Sequence, residues 1–417
     1  MMKKVRPSQV RGNIQAPPSK SFAQRAVAVA ALAEGTSEIL FPGTSDDVRA
    51  AINVARQLGA TVNLSGFSLI IKGGIMPPES VLDCGEAGLS IRMFSSLAAV
   101  LDTPVTLTGR GSLLKRPMNV VEDSLRAMGV ECSTENGYLP LTVRGPIRGG
   151  TAQVDGSFSS QVLTGMLIAA PFAEDDLKIV VSNLKSRPYI DITIAVMNSF
   201  GVKVENHDYK EFYIKSGQRY QAARYSVEGD WSAAAFLLVA GAVAGKVRVE
   251  NISAGSPQAD KAILDALRYS GAFVTVDENA VTAEKGALKS FDFDATDCPD
   301  LFPPLVSLAA YCRGTSRIKG VGRLVHKESN RAATLRQEFG KLGIGIVLDD
   351  DTMQVTGGGC KGGNVFSHDD HRIAMACAIA ALGAAGNVAI DGAGAVAKSY
   401  PGFFEDLAKV TAGQHEK

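Results

Sequence analysis

The chain reads as an α/β protein made of six copies of one βαβαββ unit, grouped as two three-repeat domains. Two markers in phase carry that expectation. An Ala-rich apolar run, a Gly, Thr or Asp turn and an apolar strand recur at Gly35, Thr103, Asp176, Gly245, Gly314 and Gly386, roughly every 70 residues. A helical segment closed by Gly and then a small or β-branched residue keeps the same beat at Gly59, Gly129, Gly201, Gly271 and Gly343. A repeat defines a scaffold, and whatever breaks the repeat is a candidate for chemistry.

The first copy shows how the unit is built. Residues 21–33 are Ala-rich without Gly or Pro and predict a helix. Residues 37–41 predict a strand, and residues 46–58 a second helix, with Asp46 or Asp47 placed to cap it and Gly59 to end it. Residues 61–64 and 68–72 form a hairpin pattern around Gly66, and residues 80–83 lead into the next copy. Each helix follows a strand, so both crossovers should be parallel and right-handed. Helix N-termini then gather at the carboxyl ends of the strands, where open α/β folds bind ligands and where anions are favoured. The midpoint near residue 225 divides the copies into residues 16–225 and a discontinuous domain of residues 1–15 with 226–417. The cleft between them is the expected active site.

Composition narrows the function. The chain has 417 residues, 46% hydrophobic and 21% charged, with a formal net charge of +0. That is globular composition without the basic excess of a nucleic-acid binder. Six cysteines lie far apart with no C-x-x-C pair, which fits a reducing cytoplasm rather than a zinc ribbon or a disulfide scaffold. Lys3, Lys4 and Arg6 are followed by no apolar stretch of the kind a signal peptide needs. The longest apolar run, residues 233–245, falls short of the roughly 20 residues that span a bilayer. No nucleic-acid or membrane partner is expected.

The turns before the first helix of each copy break the symmetry. In the first half they carry Ser and Gly (residues 17–25, 85–92 and 156–161), which leaves N–H groups and hydroxyls for an outside anion. In the second half they carry Asp (Asp230, Asp300, Asp369 and Asp370), which would cap its own helix. Taken singly, Ser157, Asp230 and Asp369 read as ordinary caps. Lys20, Arg92 and Arg372 oppose the helix macrodipole at equivalent positions, which suggests a substrate with more than one anionic group. Before the second helices stand Lys115-Arg116-Pro117, Ser186-Arg187-Pro188, Lys327-Glu328-Ser329-Asn330-Arg331 and Lys398-Ser399-Tyr400-Pro401. Lys327, Glu328 and Arg331 are expected to open a helix, with Lys327 and Arg331 on one face. Asp300 and Glu328, two carboxylates among many cations, suit general acid/base work. There is no P-loop. His368 and His371 beside Asp369 and Asp370 match no strong metal motif.

Several stretches together resemble the 5-enolpyruvylshikimate-3-phosphate synthase family of enolpyruvyl transferases. They are Pro-x-Ser-Lys-Ser-x-x-x-Arg (17–25), Ala-Gly-x-x-x-Arg (87–92), Lys-Arg-Pro-Met (115–118), Ser-Ser-Gln (159–161), Ser-Arg-Pro-Tyr-Ile-Asp-Ile-Thr (186–193), Pro-Asp (299–300), Lys-Glu-Ser-Asn-Arg (327–331), Asp-His-Arg-Ile-Ala-Met (370–375) and Lys-Ser-Tyr-Pro (398–401). The motifs fall in family order over nearly the whole chain. The resemblance implies an inside-out α/β barrel in two three-fold pseudosymmetric domains. It also implies transfer of the enolpyruvyl group of phosphoenolpyruvate to the 5-hydroxyl of shikimate 3-phosphate, with no metal or organic cofactor, in a cytoplasmic monomer.

By matched position, Lys20, Ser21, Arg25, Ser159, Ser160, Gln161, Ser186, Asp300 and Lys327 would hold shikimate 3-phosphate. Lys20, Gly88, Arg116, Gln161, Arg331, Arg372 and Lys398 would hold phosphoenolpyruvate. Glu328 would protonate the methylene carbon, and Asp300, with Lys20, would take the hydroxyl proton. Four positions depart from the common pattern: Glu86 where Asn is usual, Leu89 for Thr, Arg187 for Lys, and Arg323 where some members have Asn. Rival readings are the sister transferase acting on a UDP-amino sugar, an RNA-end cyclase and a non-catalytic repeat scaffold. The sister enzymes carry a loop Cys that residues 110–118 lack.

Overall fold

The computed structural model describes residues 1–75, 80–157, 159–325 and 327–412. Twelve α-helices run along them. α1 (Lys20–Leu32), α2 (Asp46–Gln57), α3 (Gly88–Ala98), α4 (Asn119–Ala127), α5 (Ser160–Ala169) and α6 (Pro188–Ser199) belong to the first half. α7 (Trp231–Ala244), α8 (Ile263–Tyr269), α9 (Phe302–Ala309), α10 (Arg331–Lys341), α11 (His371–Leu382) and α12 (Phe403–Ala412) belong to the second. The chain forms two compact units, residues 18–228 and residues 1–17 with 229–417.

Composition explains which helix of each copy lies inside. α7 reads WSAAAFLLVAGAVA, with no charge anywhere, and nearly every residue is buried. A helix apolar all round belongs in a core. α1, α3, α5, α9 and α11 are likewise buried along almost their whole length. α2 and α4 are amphipathic and bury only one stripe: Val48, Ala51, Val54 and Ala55 in α2, and Val121 and Leu125 in α4. Small residues let the inner helices approach closely. A Cβ on Gly165 of α5 would lie 2.8 Å from the Arg92 carbonyl oxygen of α3 and 2.9 Å from the Met93 Cα. Each unit has its own hydrophobic core.

The sheets follow one pattern. In the second copy, Val81–Asp83 pairs parallel with Val105–Thr108 across the α3 crossover. Val105–Thr108 pairs antiparallel with Tyr138–Arg144, which in turn pairs antiparallel with Glu131–Glu135. The first crossover therefore joins adjacent parallel strands, as expected. The second joins strands that are parallel but one place apart, because the returning hairpin strand is seated between them.

The copies are closed by segments distant in sequence. In the unit of residues 18–228, the parallel neighbour of Thr36–Leu40 is Arg224–Ser226. In the other unit, the parallel neighbour of Gly245–Glu250 is Val10–Gln15. The sixth copy departs from the expected βαβαββ. Its sheet is Gly363–Phe366, Val388–Asp391 and, in place of a hairpin, Lys3–Val5 paired antiparallel with Val388–Ile390. An open strand edge is a liability, and the N-terminal strand covers this one. Removing residues 1–6 would delete a few ladder hydrogen bonds worth about 2 kcal/mol in total. Thermal unfolding of the truncated protein is expected to begin roughly 4–8 °C lower; an unchanged midpoint would show that the strand is dispensable.

Candidate active site

In the unit of residues 18–228 most of the candidate residues stand at the starts of the three buried helices. α1 begins at Lys20, α3 at Gly88 and α5 at Ser160. Neither α1 nor α3 has an acidic residue in its first turn or a side-chain cap hydrogen bond. Their N-termini therefore keep a positive end that can receive an anion. α5 is capped by Ser159 rather than Ser157: Ser159 Oγ accepts from Gln161 N at 3.2 Å, whereas Ser157 is bonded to Asp155.

These turns are laced together. Ser90 of α3 donates to Gln24 of α1 at 3.4 Å, and Arg92 Nη1 of α3 donates to Gln161 Oε1 of α5 at 3.2 Å. The same Arg92 nitrogen donates to the Gly88 carbonyl at 3.0 Å. Arg116 arrives from the end of the 3-10 turn Gly111–Lys115. A Cβ on Gly88 would lie 2.4 Å from Arg116 Nη1, so a side chain there would push that guanidinium away. Gly88, Arg92, Arg116 and Gln161 thus form one cluster. Lys20 is held by Asp47, 2.7 Å from its Nζ. Asp47 is therefore an ion-pair partner, and the N-cap of α2 is Ser45.

Arg25 is placed differently from its neighbours. It is 1% exposed. Its Nε donates to Thr193 Oγ1, Nη1 to the Ser21 carbonyl, and Nη2 to Thr164 Oγ1 and the Tyr189 carbonyl, at 2.8–3.3 Å. Four of the five guanidinium N–H groups are occupied, so at most one remains for a ligand. Burial lowers its pKa to about 10 against the opposing effect of Tyr189 and Tyr225. Ser186 sits buried in left-handed backbone (φ 57°) on the turn into α6, whose Tyr189 carbonyl receives Arg25.

The other unit holds a denser charge cluster. Arg331 opens α10 and is fully buried. Its Nη1 donates to Asp300 Oδ1 at 2.9 Å, Nη2 to Glu328 Oε2 at 2.6 Å, and Nε to Asp370 Oδ2 at 3.0 Å. Asp300 also pairs with Lys327 at 3.3 Å and with Arg372 at 3.0 Å. Ser329 donates to Asp370 Oδ2, and Asp370 Oδ1 accepts the Arg372 backbone N–H. Lys327 and Glu328 lie outside the helix, contrary to the expectation that they open it. Asn330 caps α10 through Ala333 N, which leaves residues 327–329 in a bend that folds both side chains back onto Asp300 and Arg331. Asp300 is not a cap either, because its carboxylate is the hub for three cations. Of the second-half caps, Asp230 on α7 and Asp370 on α11 hold, and Asp369 does not. Lys398 is buried at the end of the turn Ala393–Lys398.

Electrostatics follow from this packing. Burial alone would raise the Asp300 acid, but Arg372, Lys327 and Arg331 outweigh it and hold the carboxyl well below its usual range. Burial lowers Lys327. Arg331 is raised, since Asp370, Glu328 and Asp300 overcome the burial that would lower it. Truncating Arg331 would strand carboxylates in a dry site, at about 3–5 kcal/mol.

Two residues without a sequence signal enter here, Glu338 and Asp260, and two expected only as caps, Asp47 and Asp370, gain ion-pair partners. Asp370 lies inside a motif already quoted, and only its contact with α10 reveals its part. Asp260 is buried beside Ser232, which bonds its Oδ2, while its Oδ1 has no hydrogen-bond partner. Among the described residues no group of three or more His, Cys, Asp or Glu could hold a metal ion, and all six cysteines are buried and unpaired. Among them too, no helix is long and apolar enough to cross a membrane.

This architecture is that of the enolpyruvyl transferases. An EPSP synthase from Acinetobacter baumannii superposes with a TM-score of 0.84 at 26% identity over 98% of each chain. The enolpyruvyl transferase NikO from Streptomyces tendae shares the fold at a TM-score of 0.78 and 17% identity, covering 98% of this chain and 97% of its own. The family described as EPSP synthase (3-phosphoshikimate 1-carboxyvinyltransferase) matches residues 5–407. The 3-phosphoshikimate 1-carboxyvinyltransferase of Methanocorpusculum labreanum is 39% identical over 98% of both chains, and that of Aeropyrum pernix 38% over 98% of this chain and 95% of its own. The chain belongs to the EPSP synthase family. It is a transferase of the shikimate pathway that moves the enolpyruvyl group of phosphoenolpyruvate to shikimate 3-phosphate.

Burial, then the charge of Asp300, raises the Asp260 acid to about 7, against Arg372 and Ser232. The folded protein holds this proton more tightly than the unfolded chain, whose Asp titrates near 3.8. The Asp260 contribution to stability is therefore lost as pH rises from about 4 to about 7, and is flat above. Asp260→Asn should melt several degrees higher than wild type at pH 8, with the gain vanishing near pH 4. A variant less stable than wild type at pH 8 would contradict this.

Proposed function

We propose that the two clusters divide the reaction by charge. The helix starts of α1 and α3, which carry no acidic residue in their first turns, with Ser21, Ser159, Ser160, Gln161 and Ser186, suit the phosphate and hydroxyls of shikimate 3-phosphate. Arg25 serves them chiefly by fixing α1, α5 and α6, and gives the ligand at most one N–H. Lys327 and Asp300 address the sugar-like ring. Lys20, Gly88, Arg116, Gln161, Arg331, Arg372 and Lys398 take the phosphate and carboxylate of phosphoenolpyruvate. The close approach of Arg116 to Gly88 supports that grouping, because only a residue without a side chain admits the guanidinium there.

Asp300 then takes the proton of the 5-hydroxyl as that oxygen attacks C2, and Glu328 delivers a proton to the methylene carbon. The tetrahedral adduct loses inorganic phosphate as a proton leaves the new methyl group. Both substrates are polyanions, and the cations offset their repulsion while proximity supplies much of the rate.

The observation that carries this reading is the Asp300–Arg331–Glu328 contact. Three cations (Lys327, Arg331, Arg372) face three carboxylates (Asp300, Glu328, Asp370). Asp300 held this far below its normal range is a weak base. Phosphoenolpyruvate brings anions that draw Arg331 and Arg372 to themselves, and its own charge disfavours ionised carboxylates nearby. Both effects raise the basicity of Asp300 when its substrate is present. We read the protein as a monomer of the cytoplasm that needs no metal or organic cofactor.

Phosphate release from phosphoenolpyruvate with shikimate 3-phosphate, and not with UDP-N-acetylglucosamine, is the expected activity. Glu328→Gln retains an oxygen for Arg331, so phosphoenolpyruvate should still bind while kcat falls about 10²–10⁴-fold. Turnover at the wild-type rate would remove Glu328 from the proton-transfer role.

A further inference from the structure

We propose that Glu338 and His368 form a positioning pair that sets the turn from which Asp370 and Arg372 act. Glu338 lies seven residues after Arg331 on α10, two turns along the same face. It is fully buried. Its Oε1 accepts from Lys341 Nζ and His368 Nε2, both at 2.8 Å, and its Oε2 accepts from Lys341 Nζ at 2.7 Å and Phe366 N at 2.8 Å. The carboxylate is ionised: burial opposes that state, and Lys341, His368 and the Phe366 N–H outweigh it. An ionised carboxylate only accepts, so His368 Nε2 carries the hydrogen.

The turn it holds is an unfavourable one. His368 and Asp369 both adopt left-handed backbone, at φ 53° and 55°, and Asp370 N donates to the Ser367 carbonyl at 3.0 Å. This is a type I′ turn, a geometry dominated by Gly, Asn and Asp, and the left-handed state costs other residues about 1–2 kcal/mol each. The imidazole on Glu338 offsets that strain. Ser367 adds a second anchor by donating to the Gly392 carbonyl. The next residue, Asp370, clasps Arg331 and caps α11, and Arg372 follows two residues later to reach Asp300. α10 is thus fastened to this turn twice, by Arg331 through Asp370 and by Glu338 through His368 and Phe366. The second fastening touches no substrate in the reading above and acts only through the side chains it aims.

The inference rests on the assignment of Arg372 to phosphoenolpyruvate, and three variants separate the two. His368→Gln can still donate from an amide nitrogen. His368→Phe keeps a ring beside Phe366, whose centroid lies 4.7 Å from the imidazole, but cannot donate. Arg372→Gln tests the assignment itself. In steady-state kinetics His368→Phe should raise KM for phosphoenolpyruvate and lower kcat, each about tenfold, with KM for shikimate 3-phosphate within about twofold. His368→Gln should recover most of the loss. A lowered melting temperature with KM for phosphoenolpyruvate unchanged would overturn the proposal and leave the pair a structural strut. If Arg372→Gln raises that KM and His368→Phe does not, the positioning role fails alone. If Arg372→Gln leaves that KM unchanged, the assignment of Arg372 fails and the proposal falls with it.

Discussion

The burial of Arg331 is the constraint on which the second unit depends. A guanidinium with no exposure must be met by acceptors, and Asp300, Glu328 and Asp370 meet it from three separate stretches of chain. Those stretches are the turn into α9, the bend before α10 and the cap of α11. One cation therefore sets the relative positions of the segments that bear the proposed base, the proposed acid and Arg372. The arrangement is mutually enforcing. Removing the cation leaves buried carboxylates unpaired, and removing a carboxylate leaves charge on Arg331 uncompensated. Opening a helix with Arg opposes the macrodipole, and the three carboxylates make that position tenable.

The other unit solves a similar problem with fewer charges. α1 and α3 bring backbone N–H groups to their first turns without acidic side chains. Close packing holds these ends together: Gly165 lets α5 approach α3, and Gly88 lets Arg116 approach the start of α3. Arg25, by contrast, is spent largely on structure. The two units share one repeat pattern and differ in where their cations are neutralised. In one, Asp47 holds Lys20; in the other, carboxylates on three elements surround Arg331 and Arg372.

Much of the fold was legible because its signals are local and repeated. Gly-terminated helices, Ala-rich inner helices and hairpin turns each mark one position in a 70-residue cycle, and six copies remove ambiguity. Closure was not legible. Nothing local in Lys3–Val5 says that it will complete the sixth sheet, and the pairing of Arg224–Ser226 with Thr36–Leu40 joins segments far apart in sequence. The candidate residues could be found from helix-start anomalies and family-like motifs, but their partners could not. Lys20 looked like a bare cation at a helix start and is paired with Asp47. Lys327 and Glu328 looked like a first helical turn, and the Asn330 cap places them before it. Asp260 and Glu338 carry no sequence signal of their own, and Asp370 reads only as a helix cap, because the importance of all three comes from what folds against them.

If Asp300 is held ionised by its cations until phosphoenolpyruvate draws them away, its titration must change when that substrate is bound. The direct measurement is the carboxyl titration of Asp300 by carbon-13 NMR, assigned by difference against Asp300→Asn. It would be made in the ligand-free protein and again with shikimate 3-phosphate and a non-reacting phosphoenolpyruvate analogue bound. The mechanism proposed for Asp300 gives a midpoint well below the ordinary Asp value without ligand and a clear upward shift in the complex. A midpoint that stays where it was would contradict it.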